Sequence, residues 1–397
     1  MTTENTHKVP NVPPLRFPKF SGEWEESTIG KEFELYSGNT PSRLDKENFV
    51  GDINWITSGE LKEHYIGDTK EKISESSAKE NNLKLMPEGT FVIAIYGLEA
   101  EGVRSTGSIT TKRSTISQAC MAFTPKGDIS NEFLYSWYMK HGNVIGLRYA
   151  QGTKQQNLSY DIIEKFKLRY PHPIEQNKIT SFIALLDKRI STQNKIIEDL
   201  KTLKSAIIEM SYNCAGEMCK IGDLIVQVSK RNKENSYPVL SVNNQLGFIE
   251  QADQFEDRTV ASEDTSNYKV VSTDDFAYNP ARINVGSIAR LKDREKGIVS
   301  PMYVCFHTKT KLLPEYMEYF FDTSYFRHEM YKRLEGSVRL CLSYEGLCNI
   351  SMLLPTIEEQ KKLSNRISVI EHKIQLESKI LKSYRQQKTY LLQQMFI

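Results

Sequence analysis

The sequence predicts an α+β protein: two β-rich globular domains and two long helices that pair as a coiled coil. Three observations carry this expectation. Positions 152–196 recur at 336–380 with a constant offset of 184 and no gap, with twelve identities in forty-five aligned positions; such self-similarity marks a duplicated unit. Within each copy, short runs of β-branched and aromatic residues bounded by Gly, Ser, Asn and Pro come first. The period then changes from two to one between three and four, the signature of an amphipathic helix.

The register of the repeat is read from Gly152, Leu158, Ser159 and Tyr160 against Gly336, Leu342, Ser343 and Tyr344. Pro171, Glu175, Gln176 and Lys178 then match Pro355, Glu359, Gln360 and Lys362, and Ile183, Ile190, Lys195 and Ile196 match Ile367, Ile374, Lys379 and Ile380. A period near 190 residues is too long for a solenoid, so each copy is a domain plus a connector. The division that follows is an N-terminal arm at 1–18, a first domain at 19–172, a first helix at 173–213, a second domain at 214–356 and a second helix at 357–397.

Taken in chain order, the arm is polar and carries Pro10, Pro13, Pro14 and Pro18, which favour an extended chain. Ile53–Ile56, Thr90–Ile95 and Ala119–Phe123 read as strands and Asn131–Lys140 as an amphipathic helix. In the second copy Ile221-Gly222 echoes Ile29-Gly30, Pro238–Val242 and Met302–Phe306 read as strands, and Glu315–Phe321 takes the place of the first copy's helix. From Glu175 to Met210 there is no Pro or Gly, and Ile179, Ile183, Leu186, Ile190, Ile197, Leu200 and Ile207 form one stripe. Leu363, Ile367, Ile370, Ile374, Leu381, Tyr384, Leu391 and Met395 draw the same stripe in the second copy. Each helix is about 55 Å long at the standard rise per residue. A stripe this narrow suits a paired seam rather than a helix buried all round. Gln193 and Glu377 interrupt the two stripes; they either fix the register of the seam or mark where it opens to solvent.

Composition narrows the function. The 397 residues carry 52 Lys and Arg against 50 Asp and Glu, a formal charge of +2, so a nucleic-acid surface, if present, is local rather than global. No run approaches the length of a membrane span and Met1–Lys8 lacks a secretory pattern, which leads us to expect a cytoplasmic protein. Six cysteines fall into no paired metal spacing, and the close pair Cys214 and Cys219 has no neighbouring histidine; reduced structural thiols and no metal are expected.

Phosphate-loop, nucleophile-elbow and zincin motifs are absent from the sequence. Asn279-Pro280-Ala281 lacks the second proline and aromatic of the adenine-methyltransferase tetrapeptide, so no catalytic residue is expected there. Asp52, Glu60 and Lys62 have a D-x7-E-x-K spacing that suits a Mg²⁺ nuclease, but the second copy has no equivalent. The recognition chemistry is richer. Trp55 lies in a strand, Arg104, Lys112 and Arg113 flank the turns leading to Gln118, and Tyr278, Asn279, Arg282, Asn284 and Ser287 precede Arg290, Lys292 and Arg294. Arginine grips guanine edges or phosphates, Asn and Gln read adenine, and Ser beside glycine lets backbone approach phosphate.

Here the chain resembles the specificity subunit of a type I restriction–modification system. The resemblance covers nearly everything after the arm. It rests on Gly152-Thr153-Lys154-Gln155-Gln156-Asn157-Leu158 with Pro171-His172-Pro173-Ile174-Glu175-Gln176, and on Gly336-Ser337-Val338-Arg339-Leu340 with Pro355-Thr356-Ile357-Glu358-Glu359-Gln360. Tyr278-Asn279-Pro280 with Gly297-Ile298-Val299-Ser300-Pro301 is similar to a recurrent target-recognition pattern. Two departures stand out: Pro173 is replaced by Ile357, and the first copy lacks Tyr-Asn-Pro, so base contacts do not transfer between the halves.

The resemblance implies two target recognition domains separated by two long antiparallel helices. Each domain would read half of a split, asymmetric site in double-stranded DNA, and the helices would measure the spacer. Lys154, Gln155 and Arg339 join the candidate DNA contacts. Glu175, Gln176, Ile183, Leu186, Ile190 and Gln193, with Glu359, Gln360, Ile367, Ile370, Ile374 and Glu377, are the candidate spacer and partner-docking positions. Two modification subunits would methylate adenine with S-adenosylmethionine, and two restriction subunits would bring Mg²⁺ and ATP. This chain itself would hold no cofactor and catalyse nothing. The competing readings are the stand-alone nuclease and a coiled-coil scaffold that binds only protein.

Overall fold

The repeat seen in the sequence is built twice in space, from equivalent hydrogen bonds. The structure, a computed structural model, describes residues 11–99, 103–152, 154–212, 216–233, 237–244, 246–251, 264–337 and 339–397. Residues 1–10 of the expected arm, Thr153 and Val338 of the two glycine turns, Cys214, and the expected junction at 213–214 lie outside the described residues. The chain forms two units, 1–194 with 379–397, and 195–378.

In the first unit an antiparallel ribbon of Glu25–Thr28 with Lys167–Tyr170 forms the base of the globular domain. Above it a five-stranded sheet runs in the order Phe33–Ser37, Cys120–Pro125, Phe91–Ala94, Gly107–Thr110 and Tyr65–Ile66. A second sheet sets Ile53–Ile56 between Lys72–Ile73 and Ser114–Ile116, the last pair parallel. Phe33, Phe91, Phe123 and Phe133 fill the core, all buried. The helix predicted to end at Lys140 continues to Tyr149. Gly142 and Gly146 hide that extension in the sequence because glycine weakens helices. Here they have a packing reason: a Cβ on Gly146 would lie 2.5 Å from Arg104 Cγ, and one on Gly142 3.1 Å from Ser105 Cα.

The second unit repeats the base ribbon as Glu217–Lys220 with Ser351–Leu354. Its sheets run Ile225–Gln227, Val304–Thr308, Phe276–Tyr278, Ile288–Arg290, and Gly247–Glu250, Val239–Asn243, Lys296–Val299, Lys269–Ser272. The parallel pair Val239–Asn243 with Lys296–Val299 corresponds to Ile53–Ile56 with Ser114–Ile116. The echo of Ile29-Gly30 in Ile221-Gly222 is a close approach. Ile29 N donates to Phe166 O and Ile221 N to Ile350 O, and a Cβ on either glycine would fall 2.8 Å from Glu164 Cβ or 2.9 Å from Cys348 Cβ.

The two long helices run Pro173–Ser211 and Ile357–Met395. Each contributes one part to each unit. Within the first unit, Asp187 meets Lys388 and Asn194 meets Arg385, so the pairing is antiparallel. Within the second, Lys204 meets Glu371 at 2.8 Å while Ile208 shares a core with Leu363 and Ile367, again antiparallel. Gln193 and Glu377 are 7% and 8% exposed, which removes the reading that they face solvent.

The Glu-Gln signature fastens each domain to its helix. Gln176 Oε1 accepts the backbone N–H of Ser130, the N-cap of the domain's helix, and its Nε2 donates to Pro171 O at 2.9 Å and Asp128 O at 3.3 Å. Gln360 does the same, accepting from Leu313 N at 2.8 Å and donating to Lys311 O and Pro355 O, both at 3.0 Å. Glu175 and Glu359 differ: Glu175 is buried in a bidentate pair with Arg16 of the arm, whereas Glu359 forms a capping box with Thr356. The buried Glu175, Gln176, Ile183, Leu186, Gln193, Gln360, Ile367 and Glu377 are therefore not surface on which a partner subunit docks; Ile190, Ile370 and Ile374 are half-buried and Glu359 is exposed.

A charged cluster reinforces each mount at equivalent positions. Lys388 pairs with Asp187 and lies over the Tyr135 ring at 5.8 Å; Lys204 pairs with Glu371 and lies over Tyr319 at 5.6 Å. The first unit adds His64, stacked between Tyr65 and Tyr135 at 4.1 and 3.9 Å, with Nδ1 3.1 Å from Asp187 and Nε2 2.9 Å from Glu132. Burial disfavours the charged ring, but hydrogen bonds to Asp187 and Glu132 outweigh it and hold His64 above its ordinary value of 6.5.

Replacing Gln176 or Gln360 by Leu leaves a helix N-cap amide and two carbonyls unpaired, and each change lowers the stability of its own unit by about 2–4 kcal/mol in calorimetric unfolding. The His64 contribution is complete below pH 6.5 and is lost as pH rises through the raised value. Melting curves of the wild type and His64→Gln therefore converge as pH rises from 6 towards alkaline; parallel curves would remove the imidazolium from the mount.

Candidate nucleic-acid interface

Each globular domain ends in the same exposed construction, a loop that follows a core strand and a hairpin bonded to it. In the first unit the strand Phe91–Ala94 leads into a loop whose Ile95 O accepts Leu158 N at 2.9 Å. In the second, Phe276–Tyr278 leads into a loop whose Pro280 O accepts Leu342 N at 3.0 Å. The hairpins close through reciprocal backbone bonds, Gln151 with Asn157 and Glu335 with Cys341. Gly152 and Gly336 make these turns possible. Their φ angles are +112° and +124°, and a Cβ would sit 2.0 Å from Gln155 O and 2.2 Å from Arg339 O.

In the first unit this surface exposes Lys154, Gln155 and Gln118. Arg104 is half-buried: its stem lies on Gly146 and its guanidinium donates to Gln156 Oε1 at 3.2 Å. Gln156 N in turn donates to Glu99, which holds that carboxyl below its usual range. Gln118 lies at this end because Ala119 O accepts Ile95 N. In the second unit Arg282, Asn284 and Arg339 are exposed and Asn279 is half-exposed, its Oδ1 capping Ala281 N. Gln155 and Arg339 occupy equivalent positions in the repeat.

The structure separates the other candidates from this surface. Trp55 is 1% exposed, donates its indole N–H to Asn39 O, and packs edge-on against Phe49, so it is a core residue and cannot stack on a base. Tyr278 is likewise buried, donating its hydroxyl to Leu342 O, and the Ser287 hydroxyl donates to Val242 O. Both hold the loop rather than touch a ligand. Arg290 is enclosed by Asp274, Glu315 and Glu318, Lys292 pairs with Glu318, and Arg294 with Glu250. These three lie at the far end of the strand pair, and their charge is already neutralised within the domain. Lys112 and Arg113 are exposed, but at the turn after Gly107–Thr110, at the other end of the sheet from the hairpin, with Arg113 beside Glu75.

The nuclease spacing does not assemble. Glu60 accepts Thr57 N, Thr57 Oγ1 and Lys70 N, a capping role, while Asp52 and Lys62 are exposed. Among the described residues no group of three His, Cys, Asp or Glu side chains is placed to hold a metal. No helix among them is long and apolar enough to cross a membrane.

Residues 21–202 match the family model of the type I restriction modification DNA specificity domain. Relatives of the chain include the type I restriction enzyme MjaIX specificity subunit of Methanocaldococcus jannaschii, 28% identical over 46% of this chain and 43% of that one. The MjaVIII specificity subunit of the same organism is 23% identical over 92% of this chain and 89% of that one. The match to the first of these relatives thus spans less than half its length. The crystal structure of a type I restriction–modification S subunit from M. genitalium superposes with a TM-score of 0.57 at 14% identity, covering 97% of this chain and 99% of that one. At that identity the likeness is one of fold, and it extends through the second half, where the specificity-domain model does not reach.

Sequence reasoning missed the equivalence of the two loops, because Ile95-Tyr96-Gly97 and Asn279-Pro280-Ala281 share no residue. The usable signal was the apolar strand before each loop. Gly152→Ala or Gly336→Ala forces a clash with backbone at positive φ, and each destabilises its hairpin by about 1–3 kcal/mol. Hydrogen exchange at 151–157 or 335–341 rises while the cores stay protected.

Proposed function

We propose that this chain is the DNA-recognition subunit of a type I restriction–modification complex and that the two loop-and-hairpin surfaces each read one half of a bipartite, asymmetric target. The observation that carries the reading is the recurrence of this surface in both units, built on equivalent backbone bonds and displaying different side chains. Duplicated scaffold with divergent tips is what reading two unlike half-sites requires. Phosphate contacts from Lys154, Arg282 and Arg339 would position the duplex, and amide side chains would address base edges.

On this reading the chain contributes recognition and no catalysis. Adenine-N6 methylation with S-adenosylmethionine, and ATP- and Mg²⁺-dependent translocation and cleavage, belong to two modification and two restriction subunits in the cytoplasm. The helix faces left exposed, with Leu185 and Leu203 on the first and Val369, Leu376 and Tyr390 on the second, supply apolar area for the modification subunits. Near-zero net charge suits an assembly in which partners share the neutralisation of phosphate.

The test is protection of a bipartite site by this chain in complex with its methyltransferase partner. Arg282→Ala and Arg339→Ala each weaken binding by roughly 1 kcal/mol or more, and loss of one phosphate contact flattens the salt dependence by about 0.9 in log–log slope. Shortening both helices by one heptad changes the length of the unread spacer. A complex that binds all sequences equally, or not at all, overturns the proposal.

A further inference from the structure

We propose that Asn244 and Asn284 form an adenine-reading pair in the second recognition domain; the inference rests on the DNA-recognition reading above and specifies which residues carry it. The two come from different segments. Asn244 follows the strand Val239–Asn243, and Asn284 stands at the tip of the loop after Phe276–Tyr278. The tertiary fold joins them: Ser287 Oγ donates to Val242 O at 3.1 Å, and a Cβ on Gly286 would lie 3.6 Å from Asn244 Cβ.

The loop is preorganised. Asn279 N donates to Ser287 O across its neck, Arg282 N to Asn279 O, Val285 N to Arg282 O and Ser287 N to Arg282 O, while Tyr331 reaches Asn284 O. Rigid backbone beneath an exposed amide removes part of the ordering cost of binding. The same surface continues into the hairpin that carries Arg339, through Leu342 N and Pro280 O.

Three asparagines elsewhere in the fold show how a structural amide is used. Asn54 Nδ2 donates to Gly67 O, Asn48 holds Ser42, Ser77 and Asn81, and Asn232 binds Thr265. Asn244 and Asn284 are exposed, and among the described residues their side chains take no hydrogen-bond partner. They border a cavity of about 530 Å³ that also carries Val285, Glu318, Asp322 and Arg327. Glu318 is already paired with Arg290 and Lys292, and Asp322 lies near Lys204, so the cavity carries no unpaired carboxylate beside the two amides, and the phosphate backbone is left to the exposed Arg282 and Arg339. An asparagine amide matches adenine bidentately at N6 and N7, and an exposed valine beside it suits the methyl group of the paired thymine. Val285 is 54% exposed.

The experiment reads adenine methylation genome-wide in cells carrying this chain with its methyltransferase partner, comparing wild type with Asn244→Ala, Asn284→Ala and Asn284→Asp. Both alanine variants are expected to lose discrimination for adenine at one position, or at two adjacent positions, of a single half-site by about tenfold. The other half-site keeps its sequence, and the purified complexes melt as wild type does. Asn284→Asp is expected to shift preference towards cytosine, whose N4 amino group donates to a carboxylate. Unchanged half-sites in all three variants overturn this inference alone. A wild-type genome without a bipartite mark overturns the recognition reading, and this inference with it.

Discussion

A buried glutamine at the start of each long helix is the constraint on which the rest of the structure depends. Gln176 and Gln360 each join three backbone segments: the turn before the long helix, the loop before the domain's own helix, and the first amide of that helix. A primary amide accepts at its oxygen and donates two hydrogens from its nitrogen, all in one plane and without charge, a combination that only glutamine and asparagine supply. Glutamate would leave two carbonyls without donors, and an apolar residue would leave all three groups unpaired. The bracket fixes where a domain sits on its helix without the desolvation that a buried ion pair demands.

Charge is added at a second level, and there the copies diverge. Lys388 over Tyr135 beside Asp187, and Lys204 over Tyr319 beside Glu371, are the same device at the same repeat offset. Among the described residues only the first unit encloses a histidine in this mount, held between two tyrosine rings and two carboxylates. Only the first unit ties its signature glutamate to an arm residue, Arg16. The duplicated scaffold thus keeps the neutral bracket and varies the charged support around it, which is the term most sensitive to pH and salt.

The same economy shapes the two loop-and-hairpin surfaces. Where backbone must pass close to backbone, glycine recurs at Gly152 and Gly336 and at Gly30 and Gly222. Between these fixed points the loops share no sequence. Arg104 rests on Gly146 in one domain, whereas Tyr278 and Ser287 anchor the corresponding loop in the other. A scaffold that specifies only its anchors leaves the tips free to differ.

The sequence by itself determined the duplication, three strands of the first copy and two of the second, and the two seams. Those features rest on periodicity and on turn residues, which are local. It also marked Gln176, Gln360, Gly152 and Gly336, since a residue needed at one backbone geometry recurs wherever that geometry recurs. It did not separate exposed arginines from enclosed ones. Arg282 and Arg290 stand eight residues apart in one basic run, yet one faces solvent and the other lies among Asp274, Glu315 and Glu318. Those carboxylates arrive from a neighbouring turn and a later helix, so the burial of Arg290 is a property of packing between distant segments. Trp55 and the pairing of Asn244 with Asn284 were decided in the same way: which side of a strand faces the core, and which loops touch, is set by contacts that no local pattern encodes.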